Sequence, residues 1–236
     1  EAVYSYYPGY FDWTYLLILI GALLSFLASA NVRHTFERYA AVPASAGLDA
    51  EGAARFILSK NGIGNVEIRG IPGDLTDNYV PSQKILNLSD STRHSGSIAA
   101  IGVAAHECGH AIQDAVGFYP LILTRTISPL CAFMSRISIP LILFGFLIGL
   151  TPLIQFGILA FIIAISFQII TLPVEFDASR RAVKTLRENH ILSETELRGV
   201  KAVLTAAALT YVAAAASSLL QLLRLLILSR NRDRRD

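Results

Sequence analysis

The sequence predicts a mainly α-helical membrane protein. Three to four transmembrane helices carry a small cytoplasmic α+β unit with a short antiparallel sheet. Composition and the distribution of apolar residues predict this. Of the 236 residues, 53% are hydrophobic and only 16% charged, with a mean hydropathy of +0.50. An average soluble domain carries about 25% charged residues. The apolar residues gather into three long stretches, and the Lys and Arg residues gather between them. The same numbers exclude other classes. A chain this apolar does not stay disordered. Two cysteines, Cys108 and Cys131, both within apolar stretches, do not make a disulfide framework. A net charge of +2 gives no electrostatic basis for a nucleic-acid partner.

Residues 1–13 read as an extracytoplasmic N-terminus and 14–30 as the first span. Thr14 to Ala30 is uncharged and close to the ~20 residues that cross a bilayer core. Tyr10, Trp13 and Tyr15 form an aromatic belt at one end, with Arg33 and Arg38 at the other. The residues before this run are acidic rather than basic, unlike those of a cleavable signal peptide. Residues 120–172 read as a transmembrane hairpin with its turn at Thr151-Pro152. Pro129 and Pro140 are expected to kink or break its first arm. Residues 202–228 are long enough to span, although Arg224 interrupts them, and a buried helix is the other reading.

Orientation follows Lys and Arg. Seven lie in the polar segment 31–119 (Arg33, Arg38, Arg55, Lys60, Arg69, Lys84, Arg93). Six lie in 173–201 (Arg180, Arg181, Lys184, Arg187, Arg198, Lys201). Both segments are therefore expected in the cytoplasm. The basic tail 229–236 asks for the same side, which conflicts with a fourth crossing.

Within 31–119, Leu48–Asn61 reads as an amphipathic helix. Asn65–Arg69 reads as a short strand followed by the turn Ile71-Pro72-Gly73-Asp74, and Asn78–Val80 and Lys84–Leu88 read as two further strands around Pro81-Ser82. Ser97–Val116 reads as a helix closed by Gly117. In the second segment a helix runs from about Val174, with Pro173 at its start. Ser193 and Glu196 form a capping box for the next helix.

The chemistry lies in His106-Glu107-Cys108-Gly109-His110, an H-E-x-x-H pattern inside the Ser97–Val116 helix. Residues i and i+4 share a helix face, so both imidazoles reach one ion. A catalytic zinc takes three protein ligands and keeps a position for water. Glu107 sits next to that position and can take the water's proton, then pass it to the leaving amine. The third ligand must come from elsewhere: Glu175, Asp177, Asp114, His34, His94 or His190. Glu175 is preferred, directly after a span on a helical segment, although an acidic residue at a helix start also satisfies the dipole. Asp114, one turn beyond His110, is a candidate to orient that imidazole. His94, His190, Tyr211 and Arg181 are candidates for steadying an oxyanion. Cys108 reads as a small buried side chain. The strand Lys84–Leu88 is expected to line the cleft and take an extended peptide by strand addition.

The stretches IGVAAHECGHAIQDA, LPVEFDASRRA, KAVLTAAALTYVAAA and LTDNYVPSQKILNLS together resemble the YugP-like zinc metallopeptidases, bacterial integral-membrane proteins, over nearly the whole chain. The resemblance implies a multi-pass protein of the bacterial plasma membrane. It implies one zinc ion per chain, held by His106, His110 and, as in gluzincins, Glu175, with Glu107 as base in a zincin-like unit. Similarity to the HtpX-type membrane peptidases is more distant. Those carry an Asp four residues after the ligand Glu, where this chain has Ser179, a weaker hydrogen-bond partner. The expected function is hydrolysis of proteins or peptides near the cytoplasmic membrane face. The expected partners are a peptide substrate, the lipid bilayer, and a homo-oligomer or other membrane proteins. The rivals are a site-2-type intramembrane protease and a non-enzymatic membrane metal-binding protein.

Overall fold

The computed structural model describes residues 12–233. Tyr10 of the aromatic belt and the last three residues of the basic tail lie outside them. Four helices are long and apolar enough to cross a bilayer: α1 (Tyr15–Ala40), α5 (Tyr119–Ile148), α6 (Thr151–Glu188) and α7 (Glu194–Asp233). Their side chains are exposed along much of their length, as at Phe26 on α1 and Leu147 on α5. Such continuous apolar surface requires lipid to cover it. The segment 202–228 therefore belongs to a long helix of spanning character.

Between α1 and α5 lie α2 (Ala50–Lys60), β1 (Glu67–Ile71), β2 (Asn78–Val80), β3 (Ile85–Ser89), the single turn α3 (Asp90–Arg93) and α4 (Ile98–Ala115). Local chemistry sets the helix starts. Asp49 accepts from the Gly52 N–H and Ser97 from the Ala100 N–H. Ser193 and Glu196 exchange the reciprocal bonds of a capping box at the start of α7. Glu196 also accepts from the Ser45 N–H, which fastens the loop before α2 to α7.

The sheet is mixed, not antiparallel as expected. Its order is β1-β3-β2, with β3 antiparallel to β2 and parallel to β1. The chain leaves β1, passes over the place β3 will fill, returns as β2, and turns back into the gap. The core beneath it joins α2, the sheet, α4, the end of α6 and the start of α7. Ile57, Leu86, Leu88, Ile101, Leu186 and Val200 are fully buried there.

Pro129 and Pro140 do not break the first arm of the hairpin, and Pro173 does not open a helix. Pro129, Pro140 and Pro173 all lie inside continuous helices. Pro173 removes one N–H from the helical ladder. Membrane-embedded helices tolerate this because neighbouring groups satisfy the freed carbonyl. The hairpin turn is Gly149-Leu150, with Gly149 in the left-handed region (φ 77°). Thr151-Pro152 opens α6 instead.

Small residues bring the membrane helices together, as expected where hydrophobicity cannot drive association. Gly145 and Gly157 abut Ile154 and Ile142 across the α5–α6 hairpin, and Gly21 abuts Ser217 between α1 and α7. Arg224, the charge that interrupts the last apolar stretch, is mostly buried. It donates to the Thr14 hydroxyl at 3.2 Å, lies 3.6 Å from the Asp12 carboxylate, and stacks over the Tyr15 ring. The charge is thus compensated at the end of the bundle remote from α4.

A methyl group at Gly157 would meet the Ile142 side chain at 2.6 Å and the Ser138 carbonyl at 3.0 Å. Gly157→Ala should therefore destabilise the hairpin by about 1–3 kcal/mol. A melting curve in detergent should fall, with metal content unchanged. An unaltered midpoint would contradict the packing described.

Candidate active site

The H-E-x-x-H segment occupies the middle of α4. Thirteen of the eighteen residues of this helix are buried, and small side chains flank the motif. His106 and His110 project from one face with ring centroids 4.8 Å apart. Across from them α6 delivers Glu175. Its Oε2 lies 3.3 Å from His106 Nε2 and 3.7 Å from His110 Nε2. The three donor atoms fall within 4.8 Å of one another. They form the only such cluster of three or more His, Cys, Asp or Glu among the described residues.

Two observations test whether this set suits a metal. Tetrahedral zinc with bonds of about 2.0–2.1 Å separates its ligand atoms by about 3.3 Å, close to the spacings seen. In addition, Glu175 Oε2 is buried with no hydrogen-bond partner. A buried carboxylate oxygen left without a donor is costly unless a cation completes it. Burial opposes a charge on His110, yet the Glu175 and Glu107 carboxylates raise its pKa to about 9. The site's potential thus favours a positive charge among these groups. His106, His110 and Glu175 therefore fit zinc.

The imidazoles are held from behind. His106 Nδ1 lies 3.1 Å from Ser179 Oγ, and His110 Nδ1 lies 3.1 Å from Gln113 Oε1. Gln113 is fully buried and its orientation is fixed. Its amide nitrogen donates to the Val174 carbonyl (2.8 Å) and to Asp177 (3.0 Å), leaving only an acceptor toward His110. His110 must then donate from Nδ1, which leaves the Nε2 lone pair free for a metal. Asp177 in turn accepts from Arg180 and Arg181.

The expected residues divide accordingly. His106, His110, Glu175 and Ser179 come together, with Glu107 beside them. Asp114 does not reach His110. It accepts from Lys84 and the Tyr79 hydroxyl (2.7 Å), because those donors rise from the sheet on its side of α4. Burial would raise the Asp114 pKa, but these two hydrogen bonds hold it below its ordinary value. Arg181 braces Asp177 and stacks on Phe118. His94 is exposed beside Asp49, and His190 is exposed at a turn with φ 53°. Tyr211 on α7 lies beside Glu175 and lines the cavities on both sides of it. Cys108 is fully buried near the Ala54 carbonyl, and burial pushes its thiol pKa up.

Two residues outside the sequence reading matter. Gln113 was detectable in principle, three residues after His110. Tyr79 was not: its backbone N–H donates to Glu107 Oε2 at 2.8 Å, a contact made only by the tertiary fold. The strand expectation also shifts. β3 is bonded on both sides and its Leu86 is fully buried, so it cannot receive a peptide. The cleft wall is the edge strand β2. Two cavities meet at His106, Glu107 and Glu175. One of about 280 Å³ is lined mainly by apolar residues of α1, α4 and α7. The other, about 490 Å³, lies between β2 and the facing parts of α5 and α6.

A helix bearing paired histidines, packed against a spanning helix that brings a carboxylate to them, in a chain with four helices of spanning character, is the arrangement of a membrane zinc peptidase. The family model described as "putative neutral zinc metallopeptidase" matches residues 14–230, and the chain belongs to that family. It is 43% identical over 218 residues to the "putative membrane protease YugP" of Bacillus subtilis (strain 168), covering 92% of this chain and 97% of that protein. No solved structure matches it.

Gln113→Ala removes the acceptor that fixes His110. It should weaken zinc affinity about 10–100-fold, measured by competition with a chromophoric chelator. Gly109→Ala should also release zinc, because its methyl group would sit 2.4 Å from the Ala178 carbonyl and force α6 away from α4. Wild-type affinity in both variants would contradict the geometry.

Proposed function

We propose that the chain hydrolyses peptide bonds of proteins or peptides at the cytoplasmic face of the membrane, in the manner of a gluzincin. His106, His110 and Glu175 hold one zinc ion, and Glu107 is the general base. The observation that carries this reading is the convergence of the three donor atoms beside Glu107 in an open cleft. When bound, zinc supplies Lewis-acid polarisation of a carbonyl and a lowered pKa for water. Glu107 takes a proton from the attacking water and returns it to the leaving amine. The Tyr79 N–H holds the Glu107 carboxylate toward the cleft. Tyr211, beside Glu175, donates its hydroxyl to the oxygen that gains charge as the carbonyl is attacked.

The larger cavity receives the peptide chain along β2. The smaller suits an apolar side chain next to the scissile bond, with Phe36, Val103 and Val203 among its lining residues. The cytoplasmic assignment rests on the thirteen Lys and Arg residues of the two polar segments. Residues 229–233 of the basic tail continue α7 at the opposite end and are outnumbered. A site within the bilayer is disfavoured because α4 is packed against α2 and the sheet rather than being one of the four spanning helices. A purely structural zinc is disfavoured because such sites are closed by four protein ligands.

Glu107→Gln should abolish cleavage of a fluorogenic peptide by reconstituted protein while retaining one zinc per chain. Retained turnover would end the mechanism. Tyr211→Phe should lower kcat by about 10²-fold or more with little change in KM. A change confined to KM would instead make Tyr211 a binding residue.

A further inference from the structure

A second cavity, about 390 Å³, lies between α6 and α7 on the outer side of the wall that carries Ser179. Four cations line it: Arg180, Lys184 and Arg187 from α6, and Lys201 from α7. None of its eleven lining residues is acidic. The three α6 cations are spaced i, i+4, i+7, so they share one helix face. Not all of this charge is neutralised locally. Arg180 pairs with Asp177 and Arg187 with Glu194. Lys184 reaches Glu188 only at 3.8 Å with both side chains largely exposed, and Lys201 makes no salt bridge among the described residues but shares the field of Glu194, which Arg187 already pairs.

The polarity of the groove has a direction. α6 runs out of its apolar stretch toward the cations, and α7 runs back in the opposite sense. On α6, Phe176 lies one turn before Arg180. On α7, Leu209 lies two turns after Lys201. Both helices therefore become apolar toward the same end of the groove, and Phe176 and Leu209 are about half exposed there. One end presents ammonium and guanidinium groups, and the other presents bare apolar surface. A rise of 1.5 Å per residue puts Arg180 about 6 Å, and Lys184 and Lys201 about 12 Å, beyond these apolar residues, so the long side chains of the groove reach back to a headgroup layer about 5–8 Å deep.

We propose that this groove binds one anionic phospholipid. Its phosphate lies among Arg180, Lys184 and Lys201, and its acyl chains lie along Phe176 and Leu209. The ligand comes from the bilayer that the four apolar helices already require. Basic pockets between membrane helices select anionic headgroups by the same electrostatics. Ser179 lines both this groove and the zinc-site cavity, and it holds His106. A lipid in the groove therefore buttresses the α6 turn that carries Glu175 and Ser179.

The test is native mass spectrometry of the zinc-loaded full chain in detergent, titrated with dioleoyl phosphatidylglycerol or dioleoyl phosphatidylcholine. The wild type should retain about one phosphatidylglycerol and bind phosphatidylcholine at least tenfold more weakly. Lys184→Gln with Lys201→Gln should weaken phosphatidylglycerol retention tenfold or more. The equal charge change Lys60→Gln with Arg69→Gln, on α2 and β1, should leave it unchanged. Both groove lysines are exposed, so folding should survive, as metal content and melting temperature will report. If the double variant fails to fold, Lys201→Glu alone gives the same reading. Equal retention by the groove variants, equal binding of phosphatidylcholine, or displacement of the lipid by excess inorganic phosphate would each overturn the proposal.

Discussion

Two imidazoles and a carboxylate share one point because α4 and α6 touch at Gly109. There the backbone of one helix approaches Ala178 of the other so closely that no side chain fits between them. From that crossing, His106 and His110 look across at Glu175, one turn before Ala178. A shift of α6 by a fraction of a helical turn would leave a half-assembled metal site and an unpaired buried carboxylate. Much of the surrounding structure can be understood as holding that crossing still. Leu186 and Ala182 bury the end of α6 in the core of the catalytic unit, and Gln113 ties α4 to the Val174 carbonyl and to Asp177.

The helix that supplies Glu175 is also a spanning helix, and this joins the site to the bilayer. α6 is continuous from the hairpin turn at Gly149-Leu150 through Pro173 to Glu188, so its position in the membrane and the position of its carboxylate are not independent. The small-residue contacts of α5 with α6, and the packing of α7 against α6, fix α6 from the membrane side. The sheet and α2 fix α4 from the other. The cleft forms where these two supports meet, with β2 on one wall and helices α5, α6 and α7 on the other.

What the sequence revealed follows the range of the interactions involved. The H-E-x-x-H helix and its caps depend on neighbours three and four residues apart, so spacing exposed them. The spanning stretches depend on composition alone. The sheet order did not follow from local pattern, because a turn after β1 suggests a hairpin with β2, whereas β3 enters between them. Pro173 suggested a helix start because proline breaks isolated helices, but a packed membrane helix carries it through. Asp114 had the spacing to serve His110, yet Lys84 and Tyr79, brought close by the sheet, compete for its carboxylate. Gln113 does that service through Asp177, 64 residues away, a partnership no local window contains.

The central claim is that Glu175 completes a metal site with His106 and His110. Its most direct test is the zinc content of detergent-purified protein, wild type beside Glu175→Ala, with folding checked by circular dichroism. The account predicts about one zinc per wild-type chain and little in the folded variant. A full complement of zinc in both would contradict it.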